Sequence, residues 1–157
     1  GLDLLQDHRD SFPPEYLHWI AAGYRATVTD RLHDQTMRTK ICDAIDGVLA
    51  TYDFIVTPTL AAVQVDNATD GNTVGPHEVN GVEVDPLIGW CLTYLLNFSG
   101  HPAASIPAGL IDDRLPVGMQ IIGRQHDDAG VIKASAVFER LRPWDAIYGL
   151  CRERPLA

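Results

Sequence analysis

Two short β-capable runs, each bracketed by glycine and proline, constrain the fold of this chain more than any other feature. The first runs from Ala103 to Ile106 within Asn97-Phe98-Ser99-Gly100-His101-Pro102-Ala103-Ala104-Ser105-Ile106-Pro107-Ala108-Gly109. The second runs from Val117 to Ile122 within Leu115-Pro116-Val117-Gly118-Met119-Gln120-Ile121-Ile122-Gly123. Proline removes a backbone donor and glycine accepts positive φ, so each strand must begin and end abruptly beside a tight turn. Ala103, Ala104, Ser105 and Gly118 carry small side chains, which lets other backbone approach closely, as a crowded sheet interior requires.

The remaining elements follow from periodicity. Residues 1–12 carry Leu2, Leu4 and Leu5 among acids and read as a segment entering from something larger. Pro13 and Pro14 suit a first helical turn, and Leu17, Ile20, Ala21 and Tyr24 then follow at i, i+3, i+4, i+7. A second, longer helix repeats that spacing through Ile41, Ala44, Ile45, Val48 and Leu49, with Asp30 as its expected cap. Phe54-Ile55-Val56, ended by Pro58, reads as a strand buried on both faces, in a parallel or mixed sheet with helices on both sides. Residues 60–85 break every period and predict a long surface loop, with a hairpin from His77 to Glu83 turning on Asn80-Gly81. Pro86 predicts the start of a helix reaching Leu96, apolar nearly all round and therefore buried. Asp127 and Asp128 suit the positive end of a last helix, whose Val131, Ala134, Ser135 and Phe138 face the core. Arg142-Pro143-Trp144 closes it.

The length of 157 residues suffices for one compact domain with a real core, and no repeat or linker divides it. A net charge of −9, with Lys40 and Lys133 as the only lysines and the arginines scattered, argues against nucleic acid as a partner. Cys42, Cys91 and Cys151 form no CxxC pair; they read as reduced thiols of a cytoplasmic protein, neither a disulfide framework nor a metal site. No apolar run approaches the roughly 20 residues that a membrane helix needs, so no membrane partner is expected. Position 1 is Gly, which supports reading the chain as a fragment.

Tyr52-Asp53-Phe54-Ile55-Val56-Thr57-Pro58-Thr59, followed in order by the two Gly/Pro-bracketed segments and an Asp-led helix, resembles the C-terminal part of the amidase signature family over essentially the whole chain. The departure is Asp112-Asp113-Arg114, where members often place Gly. The resemblance implies an α/β fold, a mixed β-sheet flanked by helices (α/β/α), with residues 1–157 as the C-terminal part of a single domain. It implies hydrolysis of a carboxylic amide C–N bond in a small-molecule substrate, with no cofactor. The family's chemistry uses a serine nucleophile, a second serine in a cis peptide bond and a lysine base, beside a Gly/Ser-rich oxyanion hole. Ser11, Ser99, Ser105 and Ser135 stand apart, and neither lysine has the required surroundings. The expectation is therefore no catalytic residue in this chain, with the triad upstream. Alone, the 157 residues are expected to be inactive and to self-associate, their natural partner being the upstream part of the same protein. Two other readings stay open: the A subunit of a tRNA-dependent glutamine amidotransferase, and a non-catalytic module descended from the fold.

Each sharper chemical reading has a plainer rival. Ser99-Gly100-His101 lacks the Gly-x-Ser-x-Gly elbow of a serine hydrolase and fits a helix C-cap and turn better. Cys91 with His101 suggests a thiol nucleophile, but a cysteine in so apolar a run reads as an inert buried thiol. His77, His101 and His126 with Asp127 lack ligand spacing, so no metal is expected. Thr59, Trp90 and Tyr94 are the candidate wall of a substrate pocket, because ligands of open α/β sheets bind beyond strand carboxyl ends.

Overall fold

A computed structural model describes residues 8–69, 72–145 and 149. Helix α1 (Pro14–Arg25) opens with proline at its first position, and α2 (Val28–Leu49) follows after a two-residue break. The start of α2 corrects the expected cap. Thr27 is the N-cap, its hydroxyl accepting from the Asp30 amide at 3.2 Å, while the Asp30 carboxylate accepts from the Thr27 amide at 2.8 Å. Asp30 is thus the third residue of a reciprocal capping box, which satisfies two otherwise orphaned amides.

Three strands form the main sheet in the order β1 (Ile55–Pro58), β5 (Leu115–Ile122), β4 (Ala103–Ile111), with both pairings antiparallel. Their register aligns Thr57, Gln120 and Ser105 across one face and Pro58, Met119 and Ile106 across the other. The β4–β5 hairpin is longer than its central runs suggested. It passes a bulge between Pro107 and Gly109 and turns at Asp112 and Asp113, both in positive φ (52° and 54°). Ile111 pairs with Leu115 across this three-residue connection, and the Arg114 amide donates to the Ile111 carbonyl at 3.1 Å around the two aspartates, a residue type that tolerates positive φ. The Asp-Asp departure from glycine therefore leaves the turn intact.

Among the described residues β1 pairs only with β5, and Val56 is 55% exposed. The expected strand buried on both faces is thus an edge strand here. A continuous apolar run does not by itself distinguish the two. The small hairpin appears where expected, as β2 (Glu78–Val79) and β3 (Val82–Glu83), joined by Asn80 and Gly81 at φ 51° and 79°.

The long apolar helix expected from Pro86 does not form. Residues 86–93 are successive turns, and only α3 (Tyr94–Ser99) is helical, with Leu95 47% exposed. Gly89 weakens any helix here, and the Asp85 carboxylate holds the Leu87 amide at 2.8 Å in a local turn. The Trp90 indole donates to the Pro86 carbonyl at 3.0 Å and lies so close to Gly75 that a side chain there would overlap it. Gly100, at φ 71°, ends α3 in the left-handed conformation expected of its C-cap. Asp127 caps α4 (Asp128–Leu141), accepting from the Gly130 amide at 2.9 Å.

The buried apolar residues among those described are Leu49, Ile106, Ile121, Ile122 and Val131, which join the end of α2, the sheet and α4. That is a small core. The chain exposes 11789 Å², whereas a compact monomer of this mass exposes about 7,800 Å².

Candidate functional site

A cleft of about 650 Å³ opens at the end of β1, within the range of small-molecule sites. Its floor is built by the sheet register. Thr59 continues β1 by donating its amide to the Gly118 carbonyl at 3.0 Å, and Ser105 sits on the same face of β4. Their hydroxyl oxygens lie 2.7 Å apart. Gly118 makes this pair possible, because a Cβ there would stand 2.6 Å from the Thr59 hydroxyl and 3.0 Å from that of Ser105.

The walls come from the loop after β1 and from the small hairpin. The loop contributes Leu60 and Val63, the hairpin tip Val79 and Asn80, and the turns before α3 Leu92. A bridge between Leu60 and Cys91, and the Ala61 amide donating to the Trp90 carbonyl at 2.8 Å, fix these walls together. None of the lining residues is charged.

Of the three residues singled out for the pocket, Thr59 lies on the cleft floor. Trp90 and Tyr94 are not among its lining residues. Trp90 packs over Gly75 and braces the turn that carries Leu92, whereas the Tyr94 ring meets Phe98 edge-on at 5.0 Å. Ser105 and Gly118 were legible as small residues but not as partners of Thr59. Their signal lay in the register, which aligns β1, β5 and β4.

A second polar cluster joins α2 to the start of β4. His101, with its side chain fully buried, donates from Nε2 to Asp46 at 3.0 Å, since the carboxylate can only accept. Gln125 donates to the Ser99 carbonyl at 3.1 Å and to the Cys42 sulfur at 3.4 Å. Partial burial and the Asp46 carboxylate push the Cys42 thiol up, so it is a poor nucleophile. Ser99 Oγ is buried without a hydrogen-bond partner among the described residues, far from the arrangement of an activated serine. Ser135 bonds back to the Val131 carbonyl. No group of three or more metal-ligating side chains is assembled among the described residues. No helix there is long and apolar enough to cross a membrane.

The chain superposes on a bacterial aryl acylamidase belonging to the amidase signature enzymes family, with a TM-score of 0.92 and 51% identity over 99% of this chain and 32% of that one. Residues 4–132 match the model of the family Amidase. The chain belongs to the amidase signature family. An acylamidase of Rhodococcus erythropolis is 33% identical over 86% of this chain and 27% of its own length. The A subunit of the glutamyl-tRNA(Gln) amidotransferase of Exiguobacterium sibiricum is 37% identical over 67% of this chain and 20% of its own. The structure of the corresponding protein from Thermotoga maritima matches with a TM-score of 0.54 and 28% identity, over 92% of this chain and 28% of that one. The chain spans about a fifth to a third of the length of these relatives.

Proposed function

We propose that residues 1–157 form the C-terminal part of a single amidase-signature domain in an enzyme that hydrolyses a carboxylic amide C–N bond. The nucleophilic serine, the cis-peptide serine and the lysine base belong to a segment upstream of this chain, and this part supplies a wall of the substrate pocket. The observation that carries the reading is the 0.92 superposition on an aryl acylamidase across 99% of the chain. The weaker match to the amidotransferase, at 0.54, ranks that alternative second. The small core and large exposed surface support an upstream partner region within the same protein. Dispersed cysteines support a cytoplasmic setting.

Release of aniline from a simple anilide by the protein with its upstream segment, and none by the 157 residues alone, is the expected result. Removing a nucleophile and base leaves only the residual rate from binding and oxyanion stabilisation. Turnover by the 157-residue chain that disappears in Ser99→Ala or Ser105→Ala would place the catalytic serine here and overturn the proposal.

A further inference from the structure

We infer that the cleft at the end of β1 binds an uncharged, apolar substrate group carrying one hydrogen-bond acceptor, and that Thr59 and Ser105 are the residues that read that acceptor. This deepens the amide-hydrolase reading above and rests on it.

Three observations combine. The cleft lining is mostly apolar and no lining residue is charged, so an ammonium or carboxylate entering it would lose water without gaining a counter-charge. That disfavours a free amino acid and favours a neutral body. The second observation is the hydroxyl pair. Two hydroxyls 2.7 Å apart spend one proton on each other, whichever of them donates. The other proton makes no further hydrogen bond among the described residues, and it belongs to a pair that lines the cleft. A ligand oxygen placed there accepts it. The third is Gly118, whose missing side chain leaves the pair its space. The cleft therefore offers a directed hydroxyl donor in mostly apolar surroundings, with Asn80 at the hairpin tip as its other polar side chain, the usual pattern of a small-molecule site.

The test compares two anilides that differ in one acceptor, 4-methoxyacetanilide and its near-isostere 4-ethylacetanilide, in the complete protein. The methoxy compound should have the higher kcat/KM by roughly fivefold, the value of one hydrogen bond of ordinary net strength. Thr59→Val combined with Ser105→Ala should abolish that preference, bringing the kcat/KM ratio of the two compounds close to one. The ratio between two substrates is a readout that a merely structural role does not move, and each single substitution provides a second variant should the double one fold poorly. L-Glutamine should be hydrolysed at least about a hundredfold more slowly than either anilide, from the cost of stripping its charges. An unchanged ratio in the variants, or preference for glutamine, overturns the inference while leaving amide hydrolysis standing. If no amide is hydrolysed, the functional reading falls. The site is then decided by binding of 4-methoxytoluene against 4-ethyltoluene, followed by protein NMR: selective binding lost in the double variant sustains it, and equal or no binding overturns it.

Discussion

His101 Nε2 stands 3.0 Å from Asp46 Oδ1, joining the start of β4 to the last turns of α2 across 55 residues of chain. The imidazole is fully buried whereas the carboxylate is 53% exposed, so the two partners are unequal. His101 Nδ1 is already without a hydrogen-bond partner among the described residues. Asp46→Ala leaves the second ring nitrogen buried and unpaired as well, which costs about 1–3 kcal/mol. Asp46→Asn keeps an acceptor oxygen and should lose less. Urea unfolding of the three proteins checks the order; an Asp46→Ala variant as stable as the parent would show that the contact holds nothing together.

The capping box at Thr27 and Asp30 carries a pH signature. The Thr27 backbone amide, and then its hydroxyl, hold the Asp30 carboxyl below its ordinary value of 3.8. A carboxyl whose folded pKa is depressed stabilises the fold above its unfolded pKa, and that contribution is lost as pH falls through the folded pKa. Asp30→Ala should therefore unfold at a lower temperature than the parent at about pH 7, and the gap should narrow as pH falls below the carboxyl's ordinary value of 3.8. A gap that stays constant across that range would remove the carboxylate from the explanation. Thr27→Ala, which deletes the hydroxyl half of the box, should cost about 1 kcal/mol at about pH 7 and less at low pH, because that hydroxyl also holds the Asp30 carboxyl down.

Gly75 and Trp90 make a tighter constraint. The indole covers Gly75 where a Cβ would project, and the Gly75 amide donates to the Pro86 carbonyl at 2.7 Å. Gly75→Ala forces the ring away, and with it the turn that carries Leu92 and the Leu60–Cys91 bridge. The expected cost is about 1–3 kcal/mol, the range for overpacking a filled site. Tryptophan fluorescence should shift in the same variant if the ring moves. Trp90→Phe, which keeps a flat ring but loses the bond to the Pro86 carbonyl, should be milder in both measurements.

These contacts also show where the sequence was legible. The Asn80-Gly81 hairpin, the Gly100 cap and the Asp127 start of α4 each depend on a local backbone demand that one or two residue types meet, so they could be read directly. The run from Pro86 to Leu96 misled because its apolar content suits a helix, while Gly89 and the distant Gly75 decide otherwise. Nothing local to Trp90 announces a glycine fifteen positions earlier. The same holds for the cleft. The place of Thr59 after a strand is readable from the chain, but Ser105 meets it only through the register of β5 between β1 and β4. The β1 edge was missed because strand burial is set by neighbours, and an apolar run says nothing of which neighbours are present.

The exposed surface leads to the last expectation. The chain exposes about 4,000 Å² more than a compact monomer of its mass, well above the area that a specific interface buries. Part of it is concentrated on the two leading helices, where Tyr24 of α1 is 75% exposed and Leu32 of α2 is 64% exposed. The β1 edge adds Val56 and a row of backbone groups facing away from β5. Apolar faces and open strand edges pair with whatever chain presents the complement, so the isolated 157 residues should self-associate. Sedimentation velocity at several concentrations should show a rising weight-average mass, and thermal unfolding should depend on concentration. Tyr24→Lys with Leu32→Lys should weaken the association, whereas a charge change at the already charged, exposed Glu139 of α4 should leave it unchanged. A monodisperse monomer with one concentration-independent transition would show instead that these faces need no cover and that the chain is an autonomous folding unit.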